Sequence, residues 1–286
     1  MCRSSRELGG PRRCSSHGRT QLENSSAAAA VLDRQAVELE RHLALARCGL
    51  RAADGASTTD FPVIGARADT PEAWGFYRSS SGGGRVDLWA DLDDGTAEEF
   101  LDGLSAAERS AITDYTGGWS GEIVAAMAGD PSAAPQAVGM AATLAAVLGR
   151  YRRSRPMPAV VARGVPVPEP WTDTREFLDT AFVVGARVDL VAVASASHNF
   201  GVVAEFAEFA SSYVMVMQAP ALPIRPLSAF PWEDESLVAP TSLRVVHVDH
   251  CGTATAGIPA VYLLDEAMLA SYVGDEECRR SLEVER

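Results

Sequence analysis

Two glutamates two positions apart, Glu233 and Glu235 in Phe230-Pro-Trp-Glu-Asp-Glu-Ser-Leu-Val238, are the side chains of this sequence best placed for chemistry. On a β-strand that spacing sends both off one face and Asp234 off the other. Two neighbouring carboxylates repel, a cost that a fold accepts when they are solvated or used. In an acidic chain a Glu-x-Glu is usually a solvated strand end. The pair gains weight only from what accompanies it.

Three further groups accompany it in order: Tyr115-Thr-Gly117, Ala162-Arg-Gly164 and Ser195-Ala-Ser197. Each has an ordinary reading. Arg163 alone is a strand-end surface charge, Ser195 a strand hydroxyl bonded to backbone, and Tyr115 a core aromatic. Phe230 and Trp232 either pack their loop or grip a target protein. The cysteines (Cys2, Cys14, Cys48, Cys251, Cys278) form no C-x-x-C, which argues against a zinc site or redox dithiol and leaves reduced thiols as the default. His198, His247 and His250 lack a carboxylate or cysteine at metal spacing and read as structural or exposed. No metal is assigned.

The elements that must position these groups follow from the apolar patterning. Residues 1–25 are polar and read as a disordered tail. Ser26 caps a helix predicted to run to about Gly49, with Leu32, Ala36, Leu39, Leu43 and Ala46 as its apolar face. Residues 26–85 form a helical and loop region closing on the Ser/Gly-rich linker 79–84. Residues 85–94 read as a strand and turn. Ser105-Ala-Ala-Glu108 is a capping box opening a helix that carries Ile112 and Tyr115 and breaks at Gly117-Gly118. A second helical piece spans 119–127. A third carries Met140, Leu144 and Leu148 and ends in Arg150, Arg152, Arg153 and Arg155, a solvated helix end favoured by the macrodipole or, as the minority reading, a phosphate contact. Strands are predicted over 159–163, 188–194, 213–218, 237–238, 243–248 and 260–264. A helix over 199–209 is expected to bury Val202, Val203, Phe206 and Phe209. Helices first and strands after give an α+β class, with the main domain over 86–250 and a C-terminal extension over 251–286.

The 286 residues suffice for a sizeable core. A net charge of −13 argues against nucleic acid as a partner, since there is no cationic excess to release counterions. All 25 basic residues are arginine. No stretch reads as a secretory signal peptide or a membrane span, so a cytoplasmic setting is expected, in the producing cell or in a target cell after delivery.

The order Tyr-Thr-Gly, Arg-Gly, Ser-x-Ser, Glu-x-Glu resembles the arginine-specific R-S-E class of mono-ADP-ribosyltransferases, which includes clostridial binary-toxin and phage enzymes. The approach Phe182-Val-Val-Gly185 before the serine motif, and Ile224-Arg-Pro-Leu-Ser-Ala-Phe230 before the glutamates, are similar as well. Two positions depart from the family: Ala196 stands where it has threonine, and Val124 follows Ile123 where it often has asparagine. The resemblance implies helices followed by a mostly antiparallel, two-sheet β core of the ADP-ribosyltransferase type. It implies NAD as substrate and a target protein presenting arginine as acceptor. Arg163 would hold the NAD phosphates, with Gly164 beside it. Ser195 would bond Glu235 and the nicotinamide ribose, with Ser197 on the same strand. Tyr115 would contact NAD from its helix, Glu235 would stabilise the cationic sugar and Glu233 would serve the acceptor. NAD glycohydrolysis, or an inactive transferase fold in a virion-associated or structural protein, are the alternatives.

Overall fold

Residues 213–217 are apolar without alternation, as in a strand covered on both faces. They lie in β5 (Ser212–Ala219), in the middle of a nine-stranded sheet. The computed structural model describes residues 35–46, 50–52, 96–154, 159–207, 211–252 and 255–267. The chain divides into two units, residues 1–40 and 41–286. In the first, residues 35–40 are helical and exposed; the second holds the sheet and the site. The predicted strand over 85–94, the linker 79–84 and the tail 1–25 lie outside the described residues.

The other strands are β1 (Leu50–Ala52), β2 (Ala159–Pro166), β3 (Arg187–Leu190), β4 (Ala194–Ser197), β6 (Ala221–Pro223), β7 (Glu235–Val238), β8 (Thr241–Asp249) and β9 (Ala260–Asp265). Their order is β1-β3-β8-β9-β5-β2-β4-β7-β6, and every pairing is antiparallel except β5 with β9. The expected two sheets are thus one hydrogen-bonded sheet. Its weak seam is between β2 and β4, which share the single pair Ala162↔Ser197, whereas β2 pairs with β5 along eight residues. β9 sits between β8 and β5, so residues set apart as a C-terminal extension supply an interior strand. Pairing across more than forty residues leaves no local trace in the sequence.

Seven helices are described: α1 (35–46), α2 (Thr96–Asp102), α3 (Ala106–Asp114), α4 (Ser120–Met127), α5 (Pro135–Arg153), α6 (Thr174–Ala181) and α7 (Phe200–Phe206). The capping box forms as expected: Ser105 Oγ accepts from the Glu108 N–H, and the Ser105 N–H donates to the Glu108 carboxylate at 2.8 Å. Residues 115–119 make one wide turn between α3 and α4, and the chain kinks at Gly118, whose φ of 123° a glycine adopts freely. On α1 the packed residues are Ala44 and Leu45, while Leu43 is half exposed. The buried residues therefore lie nearly opposite the predicted stripe, about 170° around the helix axis from the face of Leu39 and Leu43.

Three apolar clusters hold the unit together. Phe177 and Leu178 of α6 pack on Tyr213, Met215 and Met217. Ile112, Ile123 and Leu144 pack on Leu222 and Leu237, which fixes α3–α5 against the β6–β7 edge. Val203 of α7 packs on Val214, Val216 and Tyr262. Two of the arginines ending α5 are engaged, whereas Arg153 is exposed. Arg150 meets Glu108 at 2.5 Å, and Arg152 reaches the buried Asp265 at 3.0 Å. The Arg150 bond, then the Ser105 cap, hold the Glu108 carboxyl down to about 2. Arg155 is outside the described residues. No helix among the described residues is long and apolar enough to cross a membrane.

Candidate active site

The seam of the sheet makes the site. Beyond Ala162↔Ser197, continued antiparallel pairing would set Arg163 against Ala196 and Gly164 against Ser195; neither pair forms. The strands part there, and the gap is a cleft of about 160 Å³ between β2, β4 and α7. It is lined by Arg163, Gly164, Ser195, Ser197, Glu233 and Glu235, among others. A wider lobe of about 580 Å³ continues past Arg163, Ser195 and both glutamates to Tyr115 and Thr116. Six of the seven site residues expected from the sequence line the cleft, and Tyr115 lines the adjoining lobe.

Glu235 opens β7 opposite Ser197, and only 6% of it is exposed. Both of its oxygens are held. Ser195 Oγ donates to Oε1 at 2.5 Å and Ser228 Oγ donates to Oε2 at 3.0 Å. Burial raises its pKa above the usual carboxylate range, and the two hydroxyls pull it partly back. Hydroxyls that donate to a carboxylate favour its charged form, so the pair offsets part of the cost of burying a charge on the cleft floor.

Ser228 escaped the sequence reading. It is buried on the loop between β6 and β7, and it accepts from the Phe230 N–H at 3.1 Å. That loop is tied to the Tyr-Thr-Gly turn. Thr113 Oγ1 donates to the Leu227 carbonyl at 3.1 Å, and the Ala229 N–H donates to Thr116 Oγ1 at 2.9 Å. The sequence signal was present: a serine seven residues before the second glutamate, in a loop long enough to fold back. Nothing local said that it does.

Glu233 is placed by a different geometry from the one its spacing suggested. It ends a 3₁₀ turn, Pro231–Glu233, and Asp234 follows in the left-handed region at φ 47°, ψ 47°. Strand geometry begins only at Glu235. The carboxylates share the cleft because the chain turns between them, not because a strand alternates. Partial burial, then Glu235, then Glu205 raise the pKa of Glu233. Ser197 Oγ donates to the Glu233 carbonyl at 2.5 Å and accepts from the Asn199 N–H at 2.9 Å, so its proton already has a partner.

Arg163 lies on β2, partly exposed, with no ion pair among the described residues. Its guanidinium faces the cleft without a counter-ion, ready for an anion. Tyr115 is 4% exposed and packed in the helical cluster. Burial pushes its hydroxyl up to about 12, while Arg163 and Glu235 pull in opposite directions and the Ser195 backbone draws it partly down. So buried a ring offers the cleft little face for stacking.

Gly164 has a packing reason to be glycine. A Cβ there would stand 2.7 Å from backbone atoms of Val203, Phe206 and Ala207. Gly164→Ala is expected to push the end of α7 off β2 and to cost about 1–3 kcal/mol, the scale of overpacking. Thermal unfolding checks this: an unchanged Tm would show that α7 does not rest on this glycine.

On α7, Val203 is buried as expected, but Phe206 is 52% exposed and lines the cleft mouth instead of the core. Phe209 lies outside the described residues. Phe230 and Trp232 are exposed and stack edge-on at 5.5 Å. His198 is buried, its Nε2 2.8 Å from Ser236 Oγ, and burial pushes it down to about 4, so it is neutral at pH 7. His250 pairs with Asp179 at 3.0 Å and His247 packs on Tyr262.

No protein-family model matches this chain, and no curated protein matches it. Solved structures resemble it. Exoenzyme S from Pseudomonas aeruginosa, in complex with human 14-3-3 protein beta and bound to carba-NAD, aligns at 18% identity over 63% of this chain and 88% of its own, with a TM-score of 0.46. An ADP-ribosyltransferase from Clostridium botulinum aligns at 14% over 62% and 94%, also at 0.46. The Vis toxin, an ADP-ribosyltransferase from Vibrio splendidus, aligns at 16% over 66% and 90%, at 0.43. At such identities and scores a likeness decides neither substrate nor acceptor, so the chemistry is taken from the cleft's own residues.

Proposed function

We propose that this chain cleaves NAD at the nicotinamide–ribose bond and transfers the ADP-ribose to arginine side chains of a target protein. The observation that carries this reading is Glu235, buried, ionisable and gripped by two hydroxyls, in one cleft with an uncompensated Arg163. Cleavage of that bond passes through an oxocarbenium-like sugar. Nicotinamide is a cation in NAD and leaves neutral, so no general acid is needed. A carboxylate fixed on the floor of a poorly solvated cleft is the device that favours the developing positive charge. Ser195, bonded to Glu235 and bordering both lobes, is placed to meet the ribose as well. Arg163 takes the phosphates through a forked, charge-assisted contact.

The acceptor follows from Glu233. A guanidinium stays protonated in water and is a poor nucleophile. A second carboxylate at the rim can orient it and draw off its proton. The raised pKa of Glu233 suits a base, since proton affinity grows with it.

Incubating the protein with labelled NAD and a whole-cell lysate tests the reading. Label on protein, removed when arginine acceptors are competed away, is the expected result. Free ADP-ribose alone would make the chain an NAD glycohydrolase, and no consumption of NAD would overturn the enzymatic reading. Arg163→Lys sharpens the test. Lysine keeps the charge but loses the fork, so the KM for NAD should rise roughly tenfold to a hundredfold, the scale of about 1.5–3 kcal/mol for a charged hydrogen bond. An unchanged KM would remove Arg163 from the phosphate site.

A further inference from the structure

Asp234 lies between the two glutamates and outside the chemistry assigned to them. Its left-handed backbone is uncommon for any residue but glycine, although aspartate and asparagine tolerate it best. Among the described residues only Ala256 shares a positive φ without being glycine. The turn is held from several sides. Arg225 Nη1 stands 3.4 Å from Asp234 Oδ1, and the Ile224 N–H donates to the Glu235 carbonyl at 2.9 Å, so the base of the loop 225–234 is closed. The Glu233 carbonyl takes the Ser197 hydroxyl at 2.5 Å, and the Asp234 carbonyl faces the His198 N–H at 3.5 Å.

The turn separates the two carboxylates by depth. With a strand through 233–235, Glu233 would lie about 6.7 Å further along the same sheet face. The ladder has no room for that, because β4 ends at Ser197 and Asn199 already caps α7. In the observed geometry Glu235 is on the floor, 6% exposed and inside the ladder. Glu233 is outside the ladder and partly exposed, yet borders the same cleft. We infer that Asp234 is a positioning residue: its left-handed turn lifts Glu233 to the rim where a second substrate arrives and leaves Glu235 on the floor with the sugar. This rests on the transferase reading above.

Three substitutions separate backbone from side chain. Glycine at 234 keeps the turn and removes only the side chain that meets Arg225. Alanine disfavours the turn mildly and valine, branched at Cβ, strongly. Two measurements are made on each purified chain. The first is nicotinamide release and label transfer to an arginine-containing peptide. The ratio of transfer to hydrolysis should fall on the order of tenfold in Asp234→Val, less in Asp234→Ala, and stay near that of the unaltered chain in Asp234→Gly. The second is a carbon-13 titration of the glutamate carboxyls, which needs no catalysis. Partial burial, then the charges of Glu235 and Glu205, raise the titration of Glu233 above the ordinary range. In Asp234→Val it should move back toward that range, and in Asp234→Gly it should stay. Alanine and valine variants that keep both the ratio and the Glu233 titration would overturn the role of Asp234. If the unaltered chain consumes no NAD, the functional reading fails, while the titration still decides whether Asp234 sets Glu233.

Discussion

Glu235→Gln is expected to lose both ADP-ribose transfer and NAD hydrolysis, by at least the order of a hundredfold, the scale of removing one electrostatic stabiliser from a closed site. The substitution is close to isosteric, and the amide can still exchange hydrogen bonds with Ser195 and Ser228, so the fold and NAD binding should persist. What disappears is the negative charge facing the sugar. The structure adds a pH signature. Burial raises the Glu235 pKa, and protonation removes the charge as pH falls through that raised value. Nicotinamide release by the unaltered chain should therefore be full above it and fade as pH falls through it. The residual activity of Glu235→Gln should lack that acid limb. Activity of the variant within a few-fold of the unaltered chain would remove Glu235 from the catalytic role, and with it the main support for the transferase reading.

Glu233→Gln should differ in kind rather than degree. With Glu233 at the rim serving the acceptor, transfer to arginine should fall on the order of a hundredfold, within the range of a lost general base. Slow hydrolysis of NAD should largely remain, because water needs no guanidinium to be oriented. The premise is the depth difference between the carboxylates: one is closed in by Ser195 and Ser228, the other only partly covered beside Phe230 and Trp232. The measurement pairs nicotinamide release with label incorporated into an arginine-containing acceptor. Equal loss in both would mean that the glutamates act as one unit, and the acceptor role of Glu233 would be withdrawn.

Features that depend on near neighbours were legible in the sequence. The Ser105–Glu108 capping box, the break at Gly117-Gly118 and the unbroken apolar run of β5 follow from backbone propensity and patterning over a few residues. The members of the cleft, from Tyr115 to Glu235, could be named because their types and order are informative even without contacts. Tertiary structure decided how they meet. A strand reading already put Glu233 and Glu235 on one face, but they share the cleft through a left-handed residue at the point where the β4–β7 ladder ends. Ser228 became a partner of Glu235 because Thr113 and Thr116, more than a hundred residues earlier, hold its loop down. The cleft itself exists because β2 and β4 share one pair and then part. Strand pairing joins distant segments, and local sequence carries no record of which distant strand will fail to pair.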